Sequence, residues 1–159
     1  MKKGETILSS NLEDTSRIAK GFVENLFISL GKNRGEAVII QLEGNLGSGK
    51  TTFVQAVAKE LRIKNTITSP TFVLEKIYKI PPKIEKEIGF KQLIHIDAYR
   101  LNDKEDLGSI GWEEITKNPK NIIFIEWPER IQGAFPEKTN KISFRFIDEG
   151  KRELTLLEF

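Results

Sequence analysis

The stretch of sequence that decides the fold is Gly44-Asn45-Leu46-Gly47-Ser48-Gly49-Lys50-Thr51. It fits the pattern G-x-x-x-x-G-K-[ST], the phosphate-binding P-loop, and it lies between an apolar run, residues 37–42, and a segment of helical pattern. Its glycines let backbone N–H groups curl around a polyphosphate, and the helix that follows directs its N-terminal dipole at the anion. The alternative, a glycine-rich turn with an exposed lysine, would not explain the flanking strand and helix.

The P-loop supplies most of the candidate binding residues. We expect Lys50 to reach the β- and γ-phosphates of a nucleotide and the Thr51 hydroxyl to bind Mg²⁺. The predicted nucleotide-binding residues of this stretch are Asn45, Leu46, Gly47, Ser48, Gly49, Lys50, Thr51 and Thr52.

Length and composition restrict the class of protein. A chain of 159 residues predicts one domain over residues 1–159, and 38% hydrophobic with 30% charged residues suits a water-soluble globular protein. The net charge of +2 neither implies nor excludes contact with tRNA or DNA. The absence of cysteine excludes disulfides and thiolate chemistry. Because no signal peptide or membrane-spanning run is found, we expect a cytoplasmic protein.

Periodicity predicts alternating strands and helices on both sides of the P-loop. A first strand at Thr6–Ser9 precedes a helix over residues 11–30, whose start is predicted to be a capping box of Ser10 and Glu13 with Glu13, Asp14 and Thr15 exposed. Residues 37–43 form a strand buried on both faces, and residues 51–61 form the helix after the P-loop.

The segment after that helix is a candidate nucleotide-sensing switch. Residues 65–71 are rich in hydroxyl side chains, and an ordinary turn into a strand over residues 72–78 is the alternative. The charged run over residues 81–91, which begins with two prolines, is predicted to be a surface excursion without chemistry.

Two apolar strands end in an acid, one after residues 93–96 at Asp97 and the other after residues 121–125 at Glu126. The second is a Walker-B arrangement, so Glu126 is our first choice for the Mg²⁺ carboxylate. Asp97 is expected to bind Mg²⁺ through water or to position the attacking water. Alternation places His95 on the face of Asp97, as a partly buried structural residue rather than a catalytic one.

Two residues that follow these acids in the sequence each have two possible roles. Arg100 is predicted to pair either with a phosphate or with an acid, and Trp127 either to pack in the core or to contact nucleotide. The tail, residues 139–146 and 152–159, predicts a β-hairpin. The fold class is therefore α/β, a P-loop NTPase-like three-layer fold whose central, mostly parallel sheet ends in antiparallel C-terminal strands.

The base is predicted to be adenine. GTPases read guanine with N-K-x-D, whereas the comparable segment here, Asn140-Lys141-Ile142-Ser143, lacks the aspartate, and no D-x-x-G occurs. ATP with Mg²⁺ is therefore the expected nucleotide.

The motifs together resemble one family. Residues 44–52, Ser69-Pro70-Thr71-Phe72, His95-Ile96-Asp97-Ala98-Tyr99-Arg100-Leu101 and Glu126-Trp127-Pro128, in this order and spacing, are similar to TsaE, also called YjeE. That family is the bacterial ATPase needed for threonylcarbamoyladenosine modification of tRNA beside the anticodon. The resemblance implies slow hydrolysis of ATP with Mg²⁺ and action with TsaB and TsaD, so that tRNA is engaged indirectly.

The resemblance also assigns roles to residues. It implies that Thr51 and Glu126 hold Mg²⁺, that Lys50 and the loop amides hold the phosphates, that Asp97 supports hydrolysis, and that Thr15 and its neighbours line the base side of the nucleotide. Without an assured arginine finger in the chain, we expect weak basal turnover that a partner raises. A small-molecule kinase, suggested by residues 97–100, and a binding module that keeps ATP as a structural ligand are the alternatives.

Overall fold

The computed structural model describes residues 4–30, 35–70, 73–136 and 139–158, and these form a mixed α/β fold. The strands are β1 (Thr6–Ser9), β2 (Val38–Glu43), β3 (Glu75–Lys79), β4 (Gln92–Asp97), β5 (Asn121–Glu126), β6 (Asn140–Phe146) and β7 (Arg152–Glu158). The α-helices are α1 (Leu12–Leu30), α2 (Lys50–Glu60), α3 (Pro82–Ile88) and α4 (Trp112–Lys117). Short 3₁₀ helices occupy Ala98–Arg100, Glu105–Ile110 and Pro128–Ile131.

The strands pair in one seven-stranded sheet, in the order β1-β7-β6-β2-β5-β4-β3. The central pairs β6 with β2, β2 with β5, and β5 with β4 are parallel. The flanking pairs β1 with β7, β7 with β6, and β4 with β3 are antiparallel. The predicted α/β class, the parallel centre and the antiparallel C-terminal hairpin are therefore confirmed.

Each face of the sheet carries its own core. One face packs against α1 and α2, where Phe22 contacts Phe53 and Phe124 with ring centroids 5.4 and 6.1 Å apart. The other face, which includes Ile39, Ile94 and Ile123, packs against α4 and the 3₁₀ segments. Strand β2 is buried from Val38 to Leu42 because both faces are covered, which confirms the prediction for this run. The result is three layers.

The start of α1 differs from its prediction. The Asp14 backbone N–H donates to Asn11 Oδ1 at 2.8 Å, and the Ser10 N–H donates to Asp14 Oδ2 at 3.0 Å. The cap is therefore made by Asn11 and Asp14, not by Ser10 and Glu13. Thr15 is 2% exposed rather than solvated, because its hydroxyl turns inward to the Ser9 hydroxyl at 2.8 Å.

The run over residues 81–91 is also corrected. It is not a plain surface excursion, because residues 82–88 form α3 and both Ile88 and Phe90 are buried in the core. The strand predicted over 72–78 is β3, which begins only at Glu75; Thr71 and Phe72 lie outside the described residues. None of the described helices is both long enough and apolar enough to cross a bilayer.

Candidate functional site

The P-loop follows the carboxyl end of β2 and leads directly into α2. Gly44 has φ +142° and a Cβ there would collide with the Phe144 carbonyl oxygen, while Gly49 has φ +101° and a Cβ there would lie 2.8 Å from Arg152 Cδ. Only glycine satisfies both positions, since side chains rarely adopt these angles. No side chain caps the N-terminus of α2 at Gly49, so its first N–H groups are available to an anion.

Lys50 is folded back onto the loop. Its Nζ donates to the Gly44 carbonyl at 2.6 Å and to the Asn45 carbonyl at 3.0 Å, and it lies 4.1 Å from the centre of the Trp127 ring. Burial lowers the pKa of Lys50, while the carboxylates of Glu126, Glu129 and Asp97 act in the opposite direction. Lys50 is thus largely shielded from water, and its amine is hydrogen-bonded to two carbonyl oxygens of the loop.

Glu126 is held by donors from two different elements. The Thr51 hydroxyl at the start of α2 donates to Glu126 Oε1 at 2.7 Å, and His95 Nε2 on β4 lies 2.8 Å from the same oxygen. Glu126 is 4% exposed and His95 is fully buried, so the prediction of a partly buried histidine underestimated its burial. The pairing of the Thr51 hydroxyl with the Glu126 carboxylate places the two predicted Mg²⁺ ligands side by side.

Asp97 is held by the segment between α2 and β3. Its Oδ2 accepts from the Ser69 hydroxyl at 3.2 Å, and its Oδ1 accepts from the Tyr99 backbone N–H at 3.0 Å. Asp97 and Glu126 are register partners in the parallel pair of β4 and β5, so both acids lie at the carboxyl edge of the sheet on one face. The candidate switch therefore contacts the second acid directly.

These groups line a single cleft of about 370 Å³, within the range of small-ligand pockets. Its walls are Leu46, Gly47, Ser48, Gly49, Lys50, Thr51, Thr52, Ser69, Asp97, Tyr99, Glu126, Trp127 and Arg152. Of the predicted site residues, Asn45 contributes its carbonyl to Lys50 without lining the cleft, and Thr15 lies outside the lining with its hydroxyl bonded to Ser9. The role assigned to Thr15 stays a prediction.

Sequence patterns did not predict Arg152 as a site residue, and they left undecided whether Trp127 packs in the core or contacts nucleotide. Arg152, the first residue of β7, packs its side chain against Gly49, and its Nε is buried without a partner among the described residues. Trp127 adopts a left-handed backbone, φ +61°, and packs on Tyr99 with ring centroids 5.1 Å apart, so it both packs and faces the cleft. Arg100, on the 3₁₀ helix that follows β4, is exposed and does not line the cleft.

The cleft has the chemistry that a magnesium nucleotide needs. Mg²⁺ prefers hard oxygen ligands and keeps several of its waters, so the Thr51 hydroxyl and the Glu126 carboxylate suffice as protein ligands. The Ser48 hydroxyl is buried and has no partner among the described residues, which fits a loop that awaits an acceptor such as phosphate. Thr51 and Glu126 therefore fit the cation, and Lys50 with the start of α2 fits the polyphosphate.

A larger cavity, about 870 Å³, lies at the opposite edge of the sheet between the start of β2, α4, residues 134–136 and residues 139–140. Its walls include Ala37, Trp112 and Phe135, and its charged groups, Glu36, Glu113 and Lys117, are at least partly exposed. Size alone does not decide the site, because ligands of open α/β sheets bind outside the carboxyl ends of the strands. The smaller cleft, where the buried charges converge, is the candidate site.

Comparison with known proteins gives a consistent set of relatives. The sequence model of the family described as Threonylcarbamoyl adenosine biosynthesis protein TsaE matches residues 9–154. The tRNA threonylcarbamoyladenosine biosynthesis protein TsaE of Treponema pallidum is 38% identical over 127 residues, which cover 80% of this chain and 87% of the relative. The protein of the same name from Aquifex aeolicus is 36% identical over 154 residues, covering 96% and 94%. The crystal structure of Bacillus subtilis YdiB is similar with a TM-score of 0.70 and 25% identity, covering 98% of this chain and 86% of that one.

Proposed function

This chain belongs to the TsaE family of tRNA threonylcarbamoyladenosine biosynthesis proteins, and we propose that it serves that pathway as a Mg²⁺-dependent ATPase. In this proposal residues 1–159 form one cytoplasmic domain that binds ATP, hydrolyses it slowly, and works with TsaB and TsaD, so that tRNA is engaged indirectly.

One observation carries the proposal. A buried lysine, a hydroxyl paired with a carboxylate at 2.7 Å, and a second carboxylate all face one cleft at the N-terminus of α2. A protein that binds the nucleotide only as a structural ligand would need the lysine and the loop amides alone. The second acid, Asp97, is what hydrolysis requires in addition, since a water must be oriented in line with the γ-phosphate.

The residues then have separate tasks. Lys50 exchanges the Gly44 and Asn45 carbonyl oxygens for phosphate oxygens and offsets their charge. Bound Mg²⁺, held by Thr51 and Glu126, would supply further charge neutralisation. Asp97 accepts a hydrogen bond from the attacking water, whose oxygen bonds to the γ-phosphorus as the bond from phosphorus to the ADP oxygen breaks. ADP leaves with the electron pair of that bond, and the proton of the water passes to the released phosphate. Arg152, against Gly49, adds a cation at the rim of the loop.

The test measures ATP hydrolysis by the protein alone, with TsaB and TsaD, and with both plus tRNA, using Lys50→Ala as the blank. We expect turnover alone below about 10 per second, an ordinary kinase rate, with an increase when TsaB and TsaD are present. An absence of ATP hydrolysis under every condition would favour the alternative in which the protein binds ATP only as a structural ligand. Transfer of phosphate to an added small molecule would instead identify a kinase.

A further inference from the structure

His95 is a buried polar side chain that hydrolysis as described above does not use. It is the only histidine in the sequence, it is fully buried on β4, and it shares a sheet face with Leu93 and the neighbouring Phe124. A polar ring in such a place destabilises the fold unless it is hydrogen-bonded. Its Nε2 atom lies 2.8 Å from Glu126 Oε1.

The direction of this hydrogen bond follows from the chemistry of its partner. An ionised carboxylate has only acceptor atoms, so Nε2 carries the proton and donates it to Glu126. The Thr51 hydroxyl donates to the same oxygen from α2, so two donors converge on Oε1. The other ring nitrogen, Nδ1, has no partner among the described residues. The contact with Glu126 is thus the one hydrogen bond that the described structure gives to the His95 ring.

We propose that His95 is a positioning residue for the Mg²⁺ site: its Nε2–H fixes the Glu126 carboxylate in a single orientation before the cation binds. This inference rests on the proposed function, because it assumes that Glu126 is a Mg²⁺ ligand. The physical reason is that a glutamate side chain has three rotatable bonds, and a donor on a buried interior strand removes that freedom in advance. Hydrogen-bond partners of metal ligands typically change metal affinity by about 10- to 100-fold.

Three substitutions separate this role from simple packing. His95→Gln keeps an N–H donor at the same number of bonds from Cα as Nε2, whereas His95→Asn is shorter and its amide cannot reach Glu126. His95→Leu fills the space without any donor. The measurement is the affinity for Mn²⁺, followed by electron paramagnetic resonance in the presence of ADP, together with ADP affinity in EDTA and the thermal midpoint of each variant.

We expect His95→Gln to bind Mn²⁺ within threefold of the wild type, and His95→Asn and His95→Leu to bind it about tenfold more weakly. ADP affinity in EDTA should stay within twofold in all three variants. Unchanged Mn²⁺ affinity in the Asn or Leu variant would overturn the inference, as would equal weakening in the Gln variant. Unfolding of both the Asn and Leu variants would assign His95 a purely structural role. A wild-type protein that binds Mn²⁺ no better with ADP than without it would overturn the proposed function as well.

Discussion

The two acids of the cleft are register partners with nearly equal burial, but they are held by different kinds of structure. Glu126 is bonded to α2 and to β4, an interior strand of the sheet that is buried from Leu93 to Asp97. Asp97 is bonded to the Tyr99 backbone N–H on the 3₁₀ helix that follows β4, and to Ser69, which lies in the described stretch 61–70 that has neither helix nor strand. The comparison separates two tasks: a metal ligand needs a fixed position, whereas an acid that orients water gains control if a responsive segment holds it.

Asp97→Asn should give the largest effect. Asparagine keeps the oxygen that accepts from the Tyr99 N–H and places an amide NH₂ opposite Ser69, whose hydroxyl then accepts instead of donating, but asparagine orients and activates water poorly. We expect the turnover of ATP to fall by about 10²- to 10⁴-fold with nucleotide affinity within twofold. Single-turnover hydrolysis and equilibrium nucleotide binding measure the two quantities. If nucleotide affinity fell as far as turnover, Asp97 would be a nucleotide-binding group rather than one that orients water.

Glu126→Gln should act on the metal instead. Glutamine is a neutral and weaker ligand for a hard cation, so we expect the Mg²⁺ concentration for half-maximal hydrolysis to rise by about 100-fold. Nucleotide affinity in EDTA should hardly change, because Lys50 and the loop amides still hold the phosphates. A titration with Mg²⁺ at saturating ATP measures this effect. Hydrolysis with an unchanged Mg²⁺ requirement would exclude Glu126 as a ligand.

Ser69→Ala tests the link between the switch segment and Asp97. The variant loses one hydrogen bond to the Asp97 carboxylate, which is worth about 1 to 1.5 kcal/mol. Because this carboxylate is then less well oriented, turnover should fall by about five- to tenfold. We also expect TsaB and TsaD to act on Asp97 through this segment, so that their stimulation of turnover falls in the variant as well. The matched control is Ser109→Ala, which removes an exposed hydroxyl bonded only to the Asp106 carbonyl among the described contacts. Equal losses in the two variants would refute the link.

Glu75→Gln should have the smallest effect, on stability alone. Glu75 Oε2 is buried without a partner among the described residues, and burial raises the pKa of this carboxyl. The folded state therefore holds the proton more tightly than the unfolded state, and stability is lost as pH rises through the folded-state pKa. At pH 7 the substitution should raise the thermal midpoint by roughly 1 °C, since water screens a half-buried group. At pH 4 the difference in thermal midpoint between the variant and the wild type should vanish. Calorimetry at pH 4 and at pH 7 measures this difference.

Local sequence signals predicted most elements of this fold. The predicted bounds of the strand Asn121–Glu126 and of the hairpin agree closely with the observed ones, because apolar runs end at sharp breaks such as Trp127-Pro128. Helix α3 was missed although its signals are present: Ile80, Ile84 and Ile88 recur every four residues, Pro82 stands at the first helical position, and Gly89 follows the last. The many charged residues of this segment obscured the four-residue spacing of its isoleucines.

The parts of the site that the sequence did not predict are contacts between distant segments. Arg152 reaches Gly49 because β7 pairs with β6, which lies beside β2, and no local pattern encodes that path. The contact of Ser69 with Asp97 similarly depends on where the segment after α2 crosses the sheet edge. Strand-end acids can be predicted one by one, whereas their partners require the three-dimensional arrangement.

The strand order also determines when the cleft can form during synthesis. Strand β2, which delivers the P-loop, lies between β5 and β6, and β1 pairs with β7 near the other end of the chain. A nascent chain released as far as α2 thus has the complete phosphate loop but neither parallel neighbour of β2. Glu126 joins only when β5 emerges, and Arg152 only with the last strand. A nucleotide bound in this cleft would therefore stabilise only a nearly complete polypeptide, and in shorter nascent chains β2 lacks both of its parallel neighbours.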